Sequence, residues 1–343
     1  MTAAPAPAPA SAPGAVRATV DPHTSRVRAW FDPRHGGVNP GLVAALVIVF
    51  VALCILSPYF LTTTNLLNIG KAISIVGVAA VGETIVIISG GFDLSVGSVS
   101  AASGMFAAYL IGFGVPLPLA FVGAIALGIL IGVVNGAVIG YARINPLITT
   151  LATLAIVRGL AYVVSGGREI VITDATWLAL GTGNLLGIPY TIWIVGIAFL
   201  VFGIAMPRTV FGRYAYAIGS SSRASRLAGV PVNRWKVAFY LTCGGLAAVA
   251  GIITVARTGN AQPSANLTME LDVITAVILG GTSLTGGRGT LMGTLIGLVL
   301  IGVVNNGLTL IGVPSYWQGV VKGGILLAAV LYDELRRGSR DET

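Results

Sequence analysis

The sequence predicts an all-α fold, a polytopic transmembrane bundle of about ten spans with both termini in the cytoplasm. Three observations carry this. Hydrophobic residues make up 55% of the 343 residues and charged residues only 9%, and the mean hydropathy is +0.90, values that belong to integral membrane proteins. Apolar runs of about 20 residues, the length that crosses a bilayer, recur between Gly41 and Leu331. The basic residues behind the net charge of +8 sit in short segments between those runs. That distribution orients a membrane protein; it is not a nucleic-acid-binding face. The 47 glycines suit helices that approach one another closely in lipid, the surrounding partner.

Taken in order, residues 1–38 are rich in Ala and Pro and carry Arg17, Arg26, Arg28 and Arg34. A cleavable signal would be basic first and apolar after, so this segment reads as a disordered cytoplasmic tail. Spans follow near 41–61, 69–89, 97–114, 117–141 and 146–164. After a polar loop come spans near 188–206, 235–256, 271–282, 289–311 and 316–332. The membrane domain is thus 39–333, with 334–343 as a cytoplasmic C-terminal tail. With an inside start, the segments at Arg143, Arg208–Lys236, Arg288 and Arg336–Arg340 fall in the cytoplasm, as the positive-inside rule requires. Glu169, Asp174 and Glu270 fall outside.

The cytoplasmic loop 207–236 holds six of the chain's 20 basic residues and no acid. A short helix is legible inside it. Ser221 or Ser222 caps its start, Arg223–Leu227 form its body, and Gly229 before Pro231 stops it. Charge alone permits a purely topogenic loop; the helix suggests a docking element for a cytoplasmic partner, presented by Arg213, Arg223, Ala224, Arg226, Leu227 and Gly229.

Two acids lie where charge is costly. Glu83 falls inside the second apolar run, and Asp93 sits in the Gly-rich break Gly90–Gly97 (GGFDLSVG) that follows. Asp93 precedes Ser95 and Ser98 and can cap the next helix or contact a solute. A similar break recurs at Gly280–Gly287 (GGTSLTGG), and IGVVNG at Ile131–Gly136 is echoed by IGVVNN at Ile301–Asn306. The two offsets differ, so a simple duplication does not explain both. Asn135, Asn305 and Asn306 lie in apolar context, where hydrogen bonding between helices competes with solute binding. Lys71, Arg158 and Lys322 lie near span ends, where snorkelling to the interface is expected. Glu83, Thr84, Asp93, Ser95, Asn135, Ser283 and Asn305 are the candidates for a solute path. Cys54 and Cys243 read as small core residues. The sequence has no P-loop, no H-E-x-x-H, no G-x-S-x-G and no cluster of metal ligands, so no catalytic, metal or cofactor site is expected.

Several blocks together carry a resemblance. Gly82–Ser98 (GETIVIISGGFDLSVGS), Leu151–Arg168 (LATLAIVRGLAYVVSGGR), Ala217–Lys236 (AIGSSSRASRLAGVPVNRWK) and Gly280–Val330 (from GGTSLTGGRGT to SYWQGVVKGGILLAAV) resemble ribose-type sugar permeases of ATP-binding-cassette importers, in family order over roughly residues 40–332. The resemblance implies a multi-pass permease of the bacterial inner membrane that pairs with a second copy. Cytoplasmic ATPase subunits would consume the ATP, and an extracytoplasmic binding protein would deliver a monosaccharide. It also turns the basic helix into a coupling helix. Departures lie there: Ser220 and Ser221 stand where the family commonly has Gly and Asn, and Arg223 and Arg226 add charge where an acid is frequent. A permease for a branched-chain amino acid or a nucleoside is the nearest alternative. A stand-alone ion-coupled carrier using Glu83 or Asp93 is another.

Overall fold

The computed structural model describes residues 40–341, so the expected N-terminal tail lies outside the described residues. Thirteen helices dominate this region. In chain order they begin with α1 (Pro40–Leu56), α2 (Thr63–Ile88), α3 (Val96–Gly112), α4 (Leu117–Gly140) and α5 (Pro146–Ser165). The short α6 (Ala175–Thr182) leads to α7 (Tyr190–Arg208), α8 (Val210–Ser220) and α9 (Ser222–Leu227). The last four are α10 (Val232–Thr258), α11 (Met269–Leu279), α12 (Leu291–Leu310) and α13 (Ser315–Asp341). Each of the ten expected spans has a helix. Six of them, α2, α4, α5, α7, α10 and α12, are long and apolar enough to cross a membrane.

The remaining spans are not all full crossings. α11 has 11 residues, a length of about 16 Å at 1.5 Å per residue, half of the ~30 Å hydrocarbon layer. α13 is described as helical through Asp341, so most of the expected C-terminal tail continues the last helix.

The polar stretch after α5 is not the plain loop expected from sequence. Asp174 caps α6 by accepting from the Trp177 N–H at 2.8 Å, and Trp177 is wholly buried, with its indole donating to Ile252 O. Strand β1 (Ile170–Val171) pairs antiparallel with β4 (Asn260–Ala261), which ties this stretch to the segment after α10. Between them, β2 (Asn184–Leu185) and β3 (Ile188–Pro189) close a small hairpin before α7.

Small residues set the core. α4 presents Gly128, Gly132, Gly136 and Gly140 at intervals of four along one face. Gly132 lies against the backbone of Tyr240 and Leu241, and Gly128 against Gly244 and Ala248, all on α10. The same side of the bundle brings Gly82 of α2 to Cys243, and Gly104 of α3 to Gly251. With lipid as the alternative neighbour, such approach gains dispersion contacts that larger side chains would prevent. Between α2 and α12, Asn65 and Asn306 exchange amide hydrogen bonds at 3.0 and 2.8 Å, the interhelical role expected of an asparagine in apolar context.

The three expected snorkelling residues divide. Arg158 turns inward from α5 and donates from Nη1 to Pro263 O and Ala265 O, both at 2.7 Å, pinning the segment between α10 and α11. Lys322 pairs with Asp272 at 2.8 Å. A partner within reach outweighs the entropy of a free, solvated head group, and this corrects the sequence expectation for both. Lys71 is half-buried.

Candidate functional site

Both Gly-rich breaks begin with the same backbone device. At the end of α2, Gly90 takes φ +77°, its N–H bonds Ile87 O, and the Gly91 N–H reaches Val86 O. At the end of α11, Gly281 takes φ +87°, its N–H bonds Ile278 O, and the Thr282 N–H reaches Val277 O. This is the left-handed glycine cap that ends helices while satisfying their last carbonyls. It explains why the two glycine pairs resemble each other. The breaks also meet: the Gly287 N–H donates to Ile88 O at 2.8 Å, and Gly286 abuts Gly90.

The first break is held by an enclosed polar network. Glu83 accepts the Asp93 N–H at 3.1 Å, and its other oxygen lies 3.8 Å from the Cys243 thiol. Asp93 in turn accepts from the Ser95 N–H at 2.9 Å and from the Ser95 hydroxyl. Asn135 donates to Ser95 Oγ at 3.1 Å and accepts from Thr153 at 2.6 Å. Tyr240 clamps the same turn by donating to Phe92 O and accepting from the Phe92 N–H. The cap expected of Asp93 is therefore a tight side-chain turn onto Ser95, one residue before α3 starts. Ser95 itself makes no side-chain cap.

Glu83, Thr84, Ser95 and Asn135 are at 0% exposure and Asp93 at 2%. In this conformation none of the five faces lipid or an opening. Thr84 bonds Ala80 O and lies 2.9 Å from the Thr294 hydroxyl, joining α2 to α12. Ser283 is half-buried in the second break, where its N–H donates to Arg288 O. Asn305 lines a small recess between α11, α12 and α13. Structure thus gathers Glu83, Asp93, Ser95 and Asn135 into one network and leaves Thr84, Ser283 and Asn305 apart. Sequence reading missed Tyr240 and Cys243, because nothing in the apolar run around them marks which side chains meet a break 150 residues earlier.

The geometry yields a first expected outcome. Asp93→Ala leaves the Ser95 N–H and hydroxyl without an acceptor in a buried place, a cost of about 1–3 kcal/mol for each donor. Uptake should fall strongly in cells, while Asp93→Asn, which retains an acceptor, should keep most activity. Wild-type uptake by the alanine variant would show that the turn is dispensable.

At the opposite end of α2 from Thr63 lies the basic loop, and it contains two helices where one was expected. α8 is amphipathic, burying Gly212, Ala215 and Ile218. α9 is the helix read from sequence: Ser221 caps it by accepting the Ala224 N–H at 3.1 Å, and Gly229 at φ +81° ends it. Arg213, Arg223, Ala224, Arg226, Leu227 and Gly229 are all exposed, Leu227 at 84%. α8 joins this surface to both breaks. Gly219 lies against Ile88 O and Gly287 N, Ser220 against Gly287, and the Tyr216 hydroxyl donates to Gly289 O at 2.9 Å.

Comparison with known proteins gives the family of the chain. Residues 65–330 match the family model described as a branched-chain amino acid transport system permease component. The ribose import permease protein of Escherichia coli is 44% identical over 301 residues, covering 86% of this chain and 93% of the relative. The chain belongs to the ribose-type permeases of ATP-binding-cassette importers. The ribose import permease protein of Bacillus subtilis is 42% identical over 312 residues, covering 90% of this chain and 96% of the relative. The L-arabinose transport system permease protein of Escherichia coli is 41% identical over 300 residues, covering 88% and 92%. No solved structure matches. As a ribose-type permease the chain is a multi-pass inner-membrane transport subunit and not an enzyme. Its importer includes an ATPase and a substrate-binding protein.

Proposed function

We propose that this permease forms the membrane pathway for a monosaccharide, ribose or a close relative, together with a second copy of itself. The observation that carries the reading is the 44% identity with a ribose import permease across 93% of that protein. ATP is consumed by the partner ATPase, and this chain binds no cofactor. The exposed basic helix α9 docks on that ATPase. Glu83, Asp93, Ser95 and Asn135 hold the first break in shape, and a path that involves them requires the break to open. Both termini lie on the cytoplasmic side with the α9 surface, and Glu169, which accepts from Asn260 and Gln262, lies on the outer side.

Reconstituted vesicles holding the permease, its ATPase and its binding protein should accumulate labelled ribose or arabinose only with ATP inside the compartment that faces α9. A proton gradient without ATP should drive nothing. Accumulation without ATP would favour an ion-coupled carrier, and accumulation of branched-chain amino acids instead of sugars would reassign the substrate.

A further inference from the structure

The chain between α10 and α11 does not cross over the end of the bundle but dips into it. Asn266 donates to Ser100 Oγ at 2.8 Å and to Thr254 Oγ1 at 3.0 Å, and Arg158 holds Pro263 O and Ala265 O. Thr254 is four residues from the Thr258 end of α10, Arg158 seven from the Ser165 end of α5, and Ser100 twelve from the Gly112 end of α3. At 1.5 Å per residue, the dip therefore reaches about 6–18 Å in from those helix ends. Irregular backbone at membrane depth survives only where protein buries it or water lines it.

This chain does not bury the stretch. Leu267 is 60% exposed and Thr268 is exposed beside it, with Gln262, Ser264 and Asn266 half-buried. The backbone N–H groups of Ser264, Asn266, Leu267 and Thr268 have no acceptor among the described residues, and the Thr268 side chain makes no cap for α11. Hydrocarbon against this face would leave every one of those donors unsatisfied. Asn266 and Thr268 also stand at φ 54° and 64°. That left-handed conformation is strained above all for a β-branched threonine, and such strain collects at sites of function.

We propose that residues 262–268 line the solute path, and that their unpartnered N–H groups and the Thr268 hydroxyl donate in turn to the hydroxyl oxygens of a passing monosaccharide. This rests on the monosaccharide reading above and names the wall along which the solute moves. Arg158 keeps the segment in place by engaging its carbonyls, which leaves the N–H groups to face the solute. A packed protein surface would have to answer four donors at once and hold them. Water and a moving polyol answer them one at a time, with neutral contacts weak enough to release, as an importer requires. The path therefore runs along this dip rather than through the enclosed network of Glu83, Asp93, Ser95 and Asn135.

Thiol labelling tests this in the complete importer in vesicles, with a charged, water-soluble methanethiosulfonate on both sides of the membrane. Thr268→Cys is compared with Leu160→Cys, which is 57% exposed and lies about 200° round α5 from Arg158 at similar depth. The wild type, with Cys54 half-buried and Cys243 buried, gives the background. Thr268→Cys should react roughly tenfold faster or more, because the attacking thiolate forms in water and not in lipid. Reaction should then block ribose uptake by Thr268→Cys and leave uptake by Leu160→Cys as it was. Leu267→Cys repeats the test if the first variant fails to assemble with the ATPase. Labelling of both no faster than Leu160→Cys would show that lipid or a second copy covers this face, and would overturn the proposal. Fast labelling with unimpaired uptake would overturn it as well, since the segment would be wet but off the path. Labelling that blocks amino-acid uptake in an importer that carries no sugar would overturn the monosaccharide reading and leave residues 262–268 in the path.

Discussion

Arg223→Glu combined with Leu227→Asp is expected to abolish transport and to strip the ATPase from the purified complex. Leu227 is 84% exposed on a six-residue helix whose cap and stop are both in place. A leucine so exposed on a short helix has no packing role within this chain, and Arg223 lies on the same exposed element. At an interface, an apolar anchor replaced by a carboxylate and a reversed charge cost several kcal/mol together, roughly a hundredfold or more in affinity. Membrane insertion should be unaffected, because both side chains are exposed and lie outside the apolar spans. Co-purification of the ATPase at wild-type levels would remove α9 from the docking surface.

Gly219→Val should leave the ATPase bound and still cost about a hundredfold in uptake. The backbone at Gly219 lies against Ile88 O and Gly287 N, so any side chain there must separate α8 from both breaks. Overpacking of this kind typically costs 1–3 kcal/mol and moves the elements that meet. Because α8 leads directly into α9, a displacement of α9 would reach Gly90 and Gly287 through Gly219, Ser220 and Tyr216. Gly203→Ala is the control: nothing lies within 4 Å of a side chain added there, and the substitution gains helix propensity. Equal uptake by the two variants would show that the joint transmits nothing. Joint loss of ATPase binding and uptake would instead place Gly219 in the folding of the loop.

Much of the architecture was legible from residue order. Each of the ten apolar runs became a helix, because the length of an apolar run and the polarity of its flanks are local properties. The α9 cap at Ser221 and its stop at Gly229 were legible for the same reason: capping depends on neighbours two or three residues away. α8 was missed because its buried face of Gly212, Ala215 and Ile218 is short and mostly of small residues, so it reads as part of a basic loop. α6 was missed because eight residues after Asp174 fall below the length at which periodicity is convincing.

The sequence by itself determined the membrane class, the helical segments, the short capped helix α9 and the family, since each rests on composition, local periodicity or a string of motif residues. Only the tertiary structure decided what the polar residues do. Glu83 and Asp93 stood out as costly charges, yet whether they face a path or a turn depends on Ser95, Cys243 and Asn135, which three different elements bring to them. Lys322 and Arg158 looked like interface anchors until folding set Asp272 and the Pro263–Ala265 carbonyls within reach. Glycine was the least legible residue of all. Gly219 and Gly203 are both helical glycines, and only the approach of a distant backbone makes the first indispensable and the second free. The physical reason is common to these cases: the energy of a buried polar group or a missing side chain is set by what lies across from it, and that partner is chosen by packing between segments 40 to 160 residues apart.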